Sequence, residues 1–122
     1  MTKKKDNRPL ESEIERHLKN LIERAGGLCY KFMSPGRNGV PDRIVLAEGQ
    51  TYFVELKRPG EKPRPEQVKV HQDMQKRGVS VYVLDSKKAV ENFVQSIGLP
   101  LITKQPSQEL SDDLVKSFTI IK

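Results

Sequence analysis

The sequence predicts a single α/β domain built around a small mixed β-sheet flanked by helices. Helical and strand patterns alternate along the chain in the order α-β-β-β-α-β-α. Its 122 residues suit one hydrophobic core, because two domains of half that length would each bury too little apolar surface. No apolar run approaches the roughly 20 residues that span a bilayer, and a single cysteine excludes a disulfide framework. We therefore expect a cytoplasmic protein that does not enter membranes.

The first helix is predicted to begin at Leu10, after a flexible basic arm that covers residues 1–9. Apolar residues recur at the spacing of one helix face until Gly26-Gly27 ends the pattern. These residues are Leu10, Ile14, Leu18, Leu21, Ile22 and Ala25. Residues 28–33 alternate and are rich in aromatics, which indicates a half-buried strand, and a turn-rich loop follows at residues 34–39.

Two further strands, residues 43–47 and 51–57, are predicted to form a hairpin with Gly49 at its tip. Apolar residues lie on both faces of these strands, which predicts a sheet covered on two sides. Pro65 can open the second helix at its first position. The predicted inward side chains of that helix are Gln67, Val70, His71 and Met74. We interpret His71 as a core histidine rather than a catalytic one.

An apolar strand over residues 79–84 and a helix capped by Ser86 complete the predicted domain, which ends at residue 98. Residues 99–122 form a C-terminal extension with scattered apolar positions. This extension could add a helix and a short strand, and it could pack against the domain or against a second subunit.

The chain carries 22 Lys and Arg against 16 Asp and Glu, which gives a formal charge of +6. The whole excess lies in the first 80 residues. A basic surface of this kind is either an ordinary solvated face or a phosphate-binding face that releases counterions when it meets nucleic acid. Composition alone does not choose between these two interpretations.

The predicted hairpin brings ionisable residues together. If Glu48-Gly49 is a two-residue turn, Asp42 lies directly across from Glu55, and Lys57 points to the same face of the sheet. The Cβ atoms of such opposite residues are about 4.5–5.5 Å apart. Two carboxylates at this distance repel each other and raise each other's pKa unless a cation lies between them.

Paired carboxylates are ligands that suit Mg²⁺ or Mn²⁺. Such an ion can polarise a phosphodiester and activate a water, and the Lys57 charge can stabilise the negative charge that develops. The structural alternative is a cross-strand ion pair between Lys57 and Asp42, with a solvated Glu55. Glu11 and Glu15 lie on one flank of the first helix and can face the sheet, although acidic residues in a first turn also complement the helix dipole.

Five motifs in this order resemble the VRR-NUC domains, the virus-type replication-repair nucleases of the PD-(D/E)xK superfamily. The motifs are Glu11-Ser-Glu-Ile-Glu15, Ser34-Pro-Gly-Arg37, Gly39-Val-Pro-Asp-Arg43, Glu55-Leu-Lys-Arg-Pro-Gly60 and Arg64-Pro-Glu-Gln67. The resemblance covers roughly residues 11–85. It implies a restriction-endonuclease-like PD-(D/E)xK core and a nuclease domain over residues 10–98.

The resemblance also implies roles for individual residues of the hairpin. Asp42 and Glu55 match the metal-binding positions, with the backbone carbonyl of Leu56 as a candidate third ligand. Lys57 matches the catalytic lysine of the family.

Other roles implied by the resemblance fall on the two helices. Gln67 matches the glutamine that follows the lysine motif and orients the site or the scissile phosphate. Glu15 matches the helical acidic position best, and Glu11 is the alternative.

We expect the basic residues that flank the motifs to contact DNA phosphates rather than bases. These residues are Arg37, Arg43, Arg58, Lys62 and Arg64.

The function implied is a Mg²⁺- or Mn²⁺-dependent DNA endonuclease of viral or prophage replication and repair, acting in the bacterial host cytoplasm. The family relation suggests selectivity for duplex or branched DNA such as Holliday junctions and a homodimer that presents two sites. The main alternative is a non-catalytic nucleic-acid-binding module that uses only the basic face, which would bind DNA without metal. A structural subunit that recruits a partner through its C-terminal segment is a further alternative.

Overall fold

A computed structural model describes residues 6–103 of the chain and confirms the predicted order of elements. In chain order these are α1 (Glu11–Arg24), β1 (Leu28–Lys31), β2 (Arg43–Ala47), β3 (Gln50–Leu56), α2 (Pro65–Lys76), β4 (Val81–Leu84) and α3 (Lys87–Ser96). The strands form one sheet in the order β1-β2-β3-β4. The first three strands run antiparallel and β4 runs parallel to β3, so the sheet is mixed as predicted. Over residues 6–103, no helix has the length and apolarity needed to cross a bilayer.

Helix α1 begins one residue later than predicted. Leu10 is its N-cap and is 54% exposed, so it does not join the buried stripe. The Leu10 backbone N–H donates a hydrogen bond to the Glu13 carboxylate at 2.6 Å, which satisfies a donor that the helix itself cannot pair. The fully buried side chains of α1 are Ile14, Leu18, Leu21 and Ile22. They pack on one face of the sheet together with α3, and each such buried side chain contributes about 1.5–3 kcal/mol.

The other face of the sheet is only partly covered, whereas the sequence predicted cover on two sides. Helix α2 lies over β3 and β4, where Gln67 and His71 approach Glu55. Leu28 and Tyr30 of the edge strand β1 remain 45% and 55% exposed. Helix α2 therefore covers the end of β3 that carries the ionisable residues.

The β2–β3 hairpin has the predicted register. A two-residue turn at Glu48-Gly49, with φ of 54° and 74°, pairs Ala47 with Gln50 and carries the pairing to Arg43 and Val54. Positive φ at both turn residues is the type I′ geometry that matches the twist of the strands. Strand β1 ends at Lys31, two residues before the predicted end, although the Phe32 N–H still donates to the Asp42 carbonyl at 2.8 Å.

Residues at both ends of the described segment are more closely packed than the sequence indicated. Arg8 donates a hydrogen bond to the Pro59 carbonyl at 2.8 Å, so residues 6–9 of the predicted flexible arm are anchored. Leu99 is buried and Leu101 packs against the core, so the packed unit continues past residue 98. The helix and strand suggested for the extension would fall on residues 104–122, which lie outside the described part of the chain.

Candidate active site

The hairpin brings Asp42, Glu55 and Lys57 together. Asp42 directly precedes β2, and its Oδ2 accepts a hydrogen bond from the Leu56 N–H at 2.9 Å. Glu55 is only 1% exposed, and the Lys57 Nζ lies 3.4 Å from the Glu55 Oε2. The alternative predicted from sequence, a Lys57–Asp42 pair with a solvated Glu55, does not match this arrangement. The three side chains form a polar cluster in which Glu55 and Lys57 are buried and Asp42 is half-buried. We call it the hairpin cluster.

Burial raises the pKa values of both carboxylates in the hairpin cluster. Burial, and next the Asp42 charge, raise the pKa of Glu55 to about 7, although Lys57 acts in the opposite direction. Burial also raises the pKa of Asp42 against the hydrogen bond from Leu56. Because two ionised carboxylates are costly here, a bound cation would be strongly favoured.

Gln67 connects the start of α2 to the hairpin cluster. Its Oε1 accepts a hydrogen bond from the Arg64 N–H at 2.8 Å, which fixes the orientation of the side-chain amide. Its Nε2 therefore faces Glu55 and donates to Oε2 at 2.9 Å. Pro65 begins the helix and places Gln67 at the third helical position, where a side chain can reach back to the cap. The residues from Arg64 to Gln67 thus hold Glu55 through a helix cap.

Gly39 allows the loop before Asp42 to pack closely on α2. It adopts a φ of +93°, and a Cβ at this position would lie 2.8 Å from the Glu66 carbonyl oxygen. The neighbouring Pro41 is fully buried. The segment leading into Asp42 is therefore held against the helix turn that carries Gln67.

The two helical acids, Glu11 and Glu15, occupy different surroundings. Burial acts to raise the pKa of Glu15, but hydrogen bonds from Arg43 and Lys31 outweigh it and leave the pKa below its ordinary value. The Arg43 Nε lies 2.7 Å from the Glu15 Oε2 and the Lys31 Nζ lies 3.1 Å from it. Burial, and next the Asp42 charge, raise the pKa of Glu11. Within the described residues, Glu11 makes no ion pair.

Two of the five cations predicted to contact phosphates bind other groups of the protein instead. Arg43 is 9% exposed and also donates to the Cys29 carbonyl at 3.3 Å, so its guanidinium does not reach the surface. Arg58 donates to the carbonyls of Arg8 and Pro9 at 3.1 Å, which anchors the described end of the N-terminal arm. The predicted basic residues that remain exposed are Arg37, Lys62 and Arg64.

His71 lies on the predicted inward face of α2, but the sequence did not predict that it approaches Glu55. It is 6% exposed, as a core histidine would be, yet its Nε2 lies 3.9 Å from the Glu55 Oε1. The sequence feature that could have indicated this position is the spacing of four residues between Gln67 and His71, because residues i and i+4 share a helix face.

The structural role of Arg43 leads to a stability prediction. Replacing Arg43 with Met leaves Glu15 partly buried without its closest cation, so we expect the free energy of unfolding to fall by roughly 2–4 kcal/mol in urea titrations. The double substitution Arg43→Met with Glu15→Gln should recover part of this loss, because it also removes the stranded charge. An Arg43→Met protein with unchanged stability and weakened DNA binding would instead place Arg43 at the DNA.

The hairpin cluster fits a hard divalent cation. The Glu55 Oε1 is fully buried and has no hydrogen-bond partner in residues 6–103. Within the same residues, no group of three or more His, Cys, Asp or Glu side chains is placed so that it could hold a metal ion. Mg²⁺ commonly uses only one or two carboxylates and completes its coordination with waters and substrate phosphates, so the Asp42–Glu55 pair is sufficient.

The chain is similar to a phage protein whose name describes a nuclease and to a solved VRR-NUC domain. It is 51% identical over 78 residues to the protein named "Putative nuclease p44" of Acyrthosiphon pisum secondary endosymbiont phage 1, which covers 63% of this chain and 84% of that protein. A solved structure described as "VRR_NUC domain" superposes with a TM-score of 0.66 at 37% sequence identity, covering 70% of this chain and 94% of that chain. No family model matches the chain.

Proposed function

The chain belongs to the VRR-NUC family of nucleases, and on this premise we propose that it is a Mg²⁺- or Mn²⁺-dependent endodeoxyribonuclease. The observation that carries the proposal is the hairpin cluster, in which a buried carboxylate, a half-buried carboxylate and a lysine meet at a register that the turn fixes. Without a cation this cluster disfavours its own charged state, as the raised pKa values of Asp42 and Glu55 indicate.

The proposed metal ligands are the carboxylates of Asp42 and Glu55 and the backbone carbonyl of Leu56. When bound, a divalent ion polarises a phosphodiester and lowers the pKa of an attacking water. The hydrogen bond from the Leu56 N–H holds Asp42 in place, and Gln67 holds Glu55. Both carboxylates are therefore oriented before an ion arrives, which reduces the cost of arranging them during binding.

Lys57 is the proposed electrostatic catalyst. Its ammonium group lies 3.4 Å from Glu55 and is 8% exposed, so its charge acts where water screens it weakly. At this place it stabilises the negative charge that develops on a phosphate under attack.

Glu11 is the helical acid that we assign to the site, in preference to Glu15. Glu15 is already compensated by Arg43 and Lys31, whereas burial, and next the charge of Asp42, raise the pKa of Glu11. Glu11 has no cation partner among residues 6–103, so its negative charge can help to stabilise an ion at the hairpin cluster. Glu15 instead fastens α1 to β2.

DNA is the proposed substrate, held by the exposed cations Arg37, Lys62 and Arg64. Phosphate contacts of this kind position a duplex without reading its sequence. The family resemblance supports a branched or Holliday-junction-like substrate, a role in viral or prophage replication and repair in the host cytoplasm, and a homodimer that presents two sites to two strands.

Cleavage assays test the proposed function. A supercoiled plasmid and a synthetic four-way junction are incubated with the protein in EDTA, Mg²⁺, Mn²⁺ or Ca²⁺. We expect cleavage only with Mg²⁺ or Mn²⁺, and faster cleavage of the junction than of a duplex of the same sequence. Equal cleavage in EDTA would refute metal dependence, and tight binding without cleavage in any metal would indicate the non-catalytic binding module.

The raised pKa of Glu55 predicts a pH dependence of stability for the metal-free protein. The folded carboxyl holds its proton up to about pH 7, whereas the ordinary value is 4.5, so the folded state binds more protons between these values. The free energy of unfolding should therefore fall by roughly 3 kcal/mol as pH rises through this window. Thermal unfolding in EDTA measures this effect, and Glu55→Gln should remove that part of the slope. The same slope in both proteins would contradict the prediction.

A further inference from the structure

Two arginines fasten the segment before α1 to the loop that follows β3. The Arg8 Nη1 donates a hydrogen bond to the Pro59 carbonyl at 2.8 Å. In return, the Arg58 guanidinium donates to the carbonyls of Arg8 and Pro9 at 3.1 Å. The Asp6 carboxylate lies 2.9 Å from the Arg8 Nη2 and 3.2 Å from the Arg58 Nη2. We call these five residues the arginine clasp.

The arginine clasp joins the two segments that lead to the proposed active site. Arg58 directly follows Lys57 of the hairpin cluster, and Pro9 is two residues before Glu11. Two arginines that bind backbone carbonyls on each other's segment hold these segments together by more than one hydrogen bond. The chain that precedes Asp6 therefore joins the domain on the side of the hairpin cluster.

Most of the excess positive charge of the chain lies in the segments that the clasp joins. Residues 3–8 carry a net charge of +3 and residues 58–64 carry a net charge of +2, whereas the whole chain carries +6. Lys62 and Arg64, which follow the clasp in the chain, are exposed. The fold thus concentrates in one region a charge that the sequence divides between two distant segments.

Three consecutive lysines precede the clasp. Lys3, Lys4 and Lys5, which we call the arm lysines, come directly before Asp6. One residue spans at most about 3.6 Å of chain, so the Cα atoms of the arm lysines stay within about 11 Å of that of Asp6. Duplex DNA carries one negative charge per about 1.7 Å of its axis, so cations spread over this length meet several phosphates at once.

We propose that the arm lysines are a DNA-binding element of this nuclease, and that the arginine clasp holds this element beside the cleavage site. This inference rests on the proposed function, because it takes duplex DNA as the partner. The three ammonium groups contact backbone phosphates and release their counterions. Such contacts position the duplex without reading its sequence, and they extend the basic surface that Lys62 and Arg64 form.

The salt dependence of DNA binding tests the arm lysines. The anisotropy of a fluorescent duplex is measured in Ca²⁺ over a series of KCl concentrations. The triple variant Lys3→Gln, Lys4→Gln, Lys5→Gln should reduce the slope of log affinity against log salt by about 2 to 3, because each lost phosphate contact removes about 0.9. At about 0.1 M salt this variant should bind DNA about ten-fold more weakly or worse. An unchanged slope would overturn the proposal.

A matched control removes three lysines from the opposite side of the sheet. Lys19, Lys87 and Lys88 are exposed on α1 and α3, which lie on the face away from α2. Replacing all three with Gln changes the net charge by the same amount and should leave the slope nearly unchanged. Equal losses of slope in the two triple variants would show that only net charge matters, and would overturn the assignment to the arm lysines.

Acetylation of lysines, read by mass spectrometry, tests the same contacts in the unaltered full chain. Bound duplex DNA should protect the arm lysines from an N-hydroxysuccinimide ester and leave Lys87 and Lys88 as reactive as in the free protein. Full reactivity of the arm lysines in the saturated complex would contradict the proposal.

Loosening the clasp distinguishes an anchored element from a basic tail. Arg58→Gln removes the hydrogen bonds to the Arg8 and Pro9 carbonyls, which lowers the effective concentration of the arm lysines at the duplex. In this background the three lysine substitutions should reduce the slope by less than half as much as in the unaltered chain. Arg8→Gln, at an exposed position, makes the same test where Arg58→Gln does not fold. The full loss of slope in both backgrounds would overturn the role of the clasp.

The two proposals fail in distinguishable ways. Metal-dependent cleavage together with an unchanged slope in the arm-lysine variant would overturn the role of the arm and leave the nuclease function intact. A reduced slope in that variant, together with no cleavage in any metal, would overturn the proposed nuclease activity and leave the arm lysines as DNA contacts.

Discussion

Asp42→Asn and Glu55→Gln are each expected to lower DNA cleavage by about 100-fold or more, while the protein stays folded. Each substitution keeps the shape of the side chain and removes one of the two negative charges that hold the ion. The loss is large because the ion acts on the phosphodiester and on the attacking water together. Initial rates on the four-way junction in Mn²⁺ measure the effect.

A matched carboxylate-to-amide control is available on the outer surface of α1. Glu23 is 48% exposed and, among residues 6–103, pairs only with Lys19 at 3.9 Å, so Glu23→Gln should cleave at the rate of the unaltered chain. DNA binding measured in Ca²⁺ should be preserved in Asp42→Asn, because the phosphate-contacting cations are unchanged. If Asp42→Asn and Glu55→Gln cleaved as fast as Glu23→Gln, the hairpin cluster would not be the active site.

Gly39→Ala is expected to destabilise the protein by roughly 2–4 kcal/mol. Two costs add at this position. A side chain is strained at a φ of +93°, and its Cβ would meet the Glu66 carbonyl oxygen at 2.8 Å, which is a rigid backbone atom. Relief of the clash would shift either the loop before Asp42 or the first turn of α2, so cleavage should fall as well as stability.

Gly36→Ala is the control for this substitution. Gly36 lies in the same loop without a positive φ, and a Cβ there would meet no atom of the described part of the chain within 4 Å. Urea unfolding should place Gly36→Ala within about 0.5 kcal/mol of the unaltered chain. Equal midpoints for Gly36→Ala and Gly39→Ala would contradict the close packing of this loop on α2.

The hairpin could be predicted from sequence because its turn and its side-chain alternation are compatible with few strand registers. A two-residue turn at Glu48-Gly49 and the two-residue period of a strand leave one register, and this register aligns Asp42 with Glu55. Helix α1 was predictable for a similar reason, because its apolar stripe has one face to bury. The family resemblance then supplied the roles that these positions are proposed to have.

The roles of individual cations and of His71 depended on tertiary packing. Composition makes Arg43 and Arg64 equivalent, yet Arg43 is buried against Glu15 while Arg64 remains on the surface. Strand alternation offered a partial signal, since Arg43 follows Asp42 and must point to the opposite face. His71 reads as a core residue from helix spacing alone, because only the placement of α2 over β3 brings it to Glu55.

A crystal structure of the protein soaked in Mn²⁺, with anomalous data collected at the manganese absorption edge, tests the proposed metal centre directly. We predict an anomalous peak within bonding distance of the carboxylates of Asp42 and Glu55, with Glu11 closer to the ion than Glu15. A peak away from this pair, or none in crystals of protein that cleaves DNA with Mn²⁺, would contradict the assignment of the hairpin cluster as the metal-dependent active site.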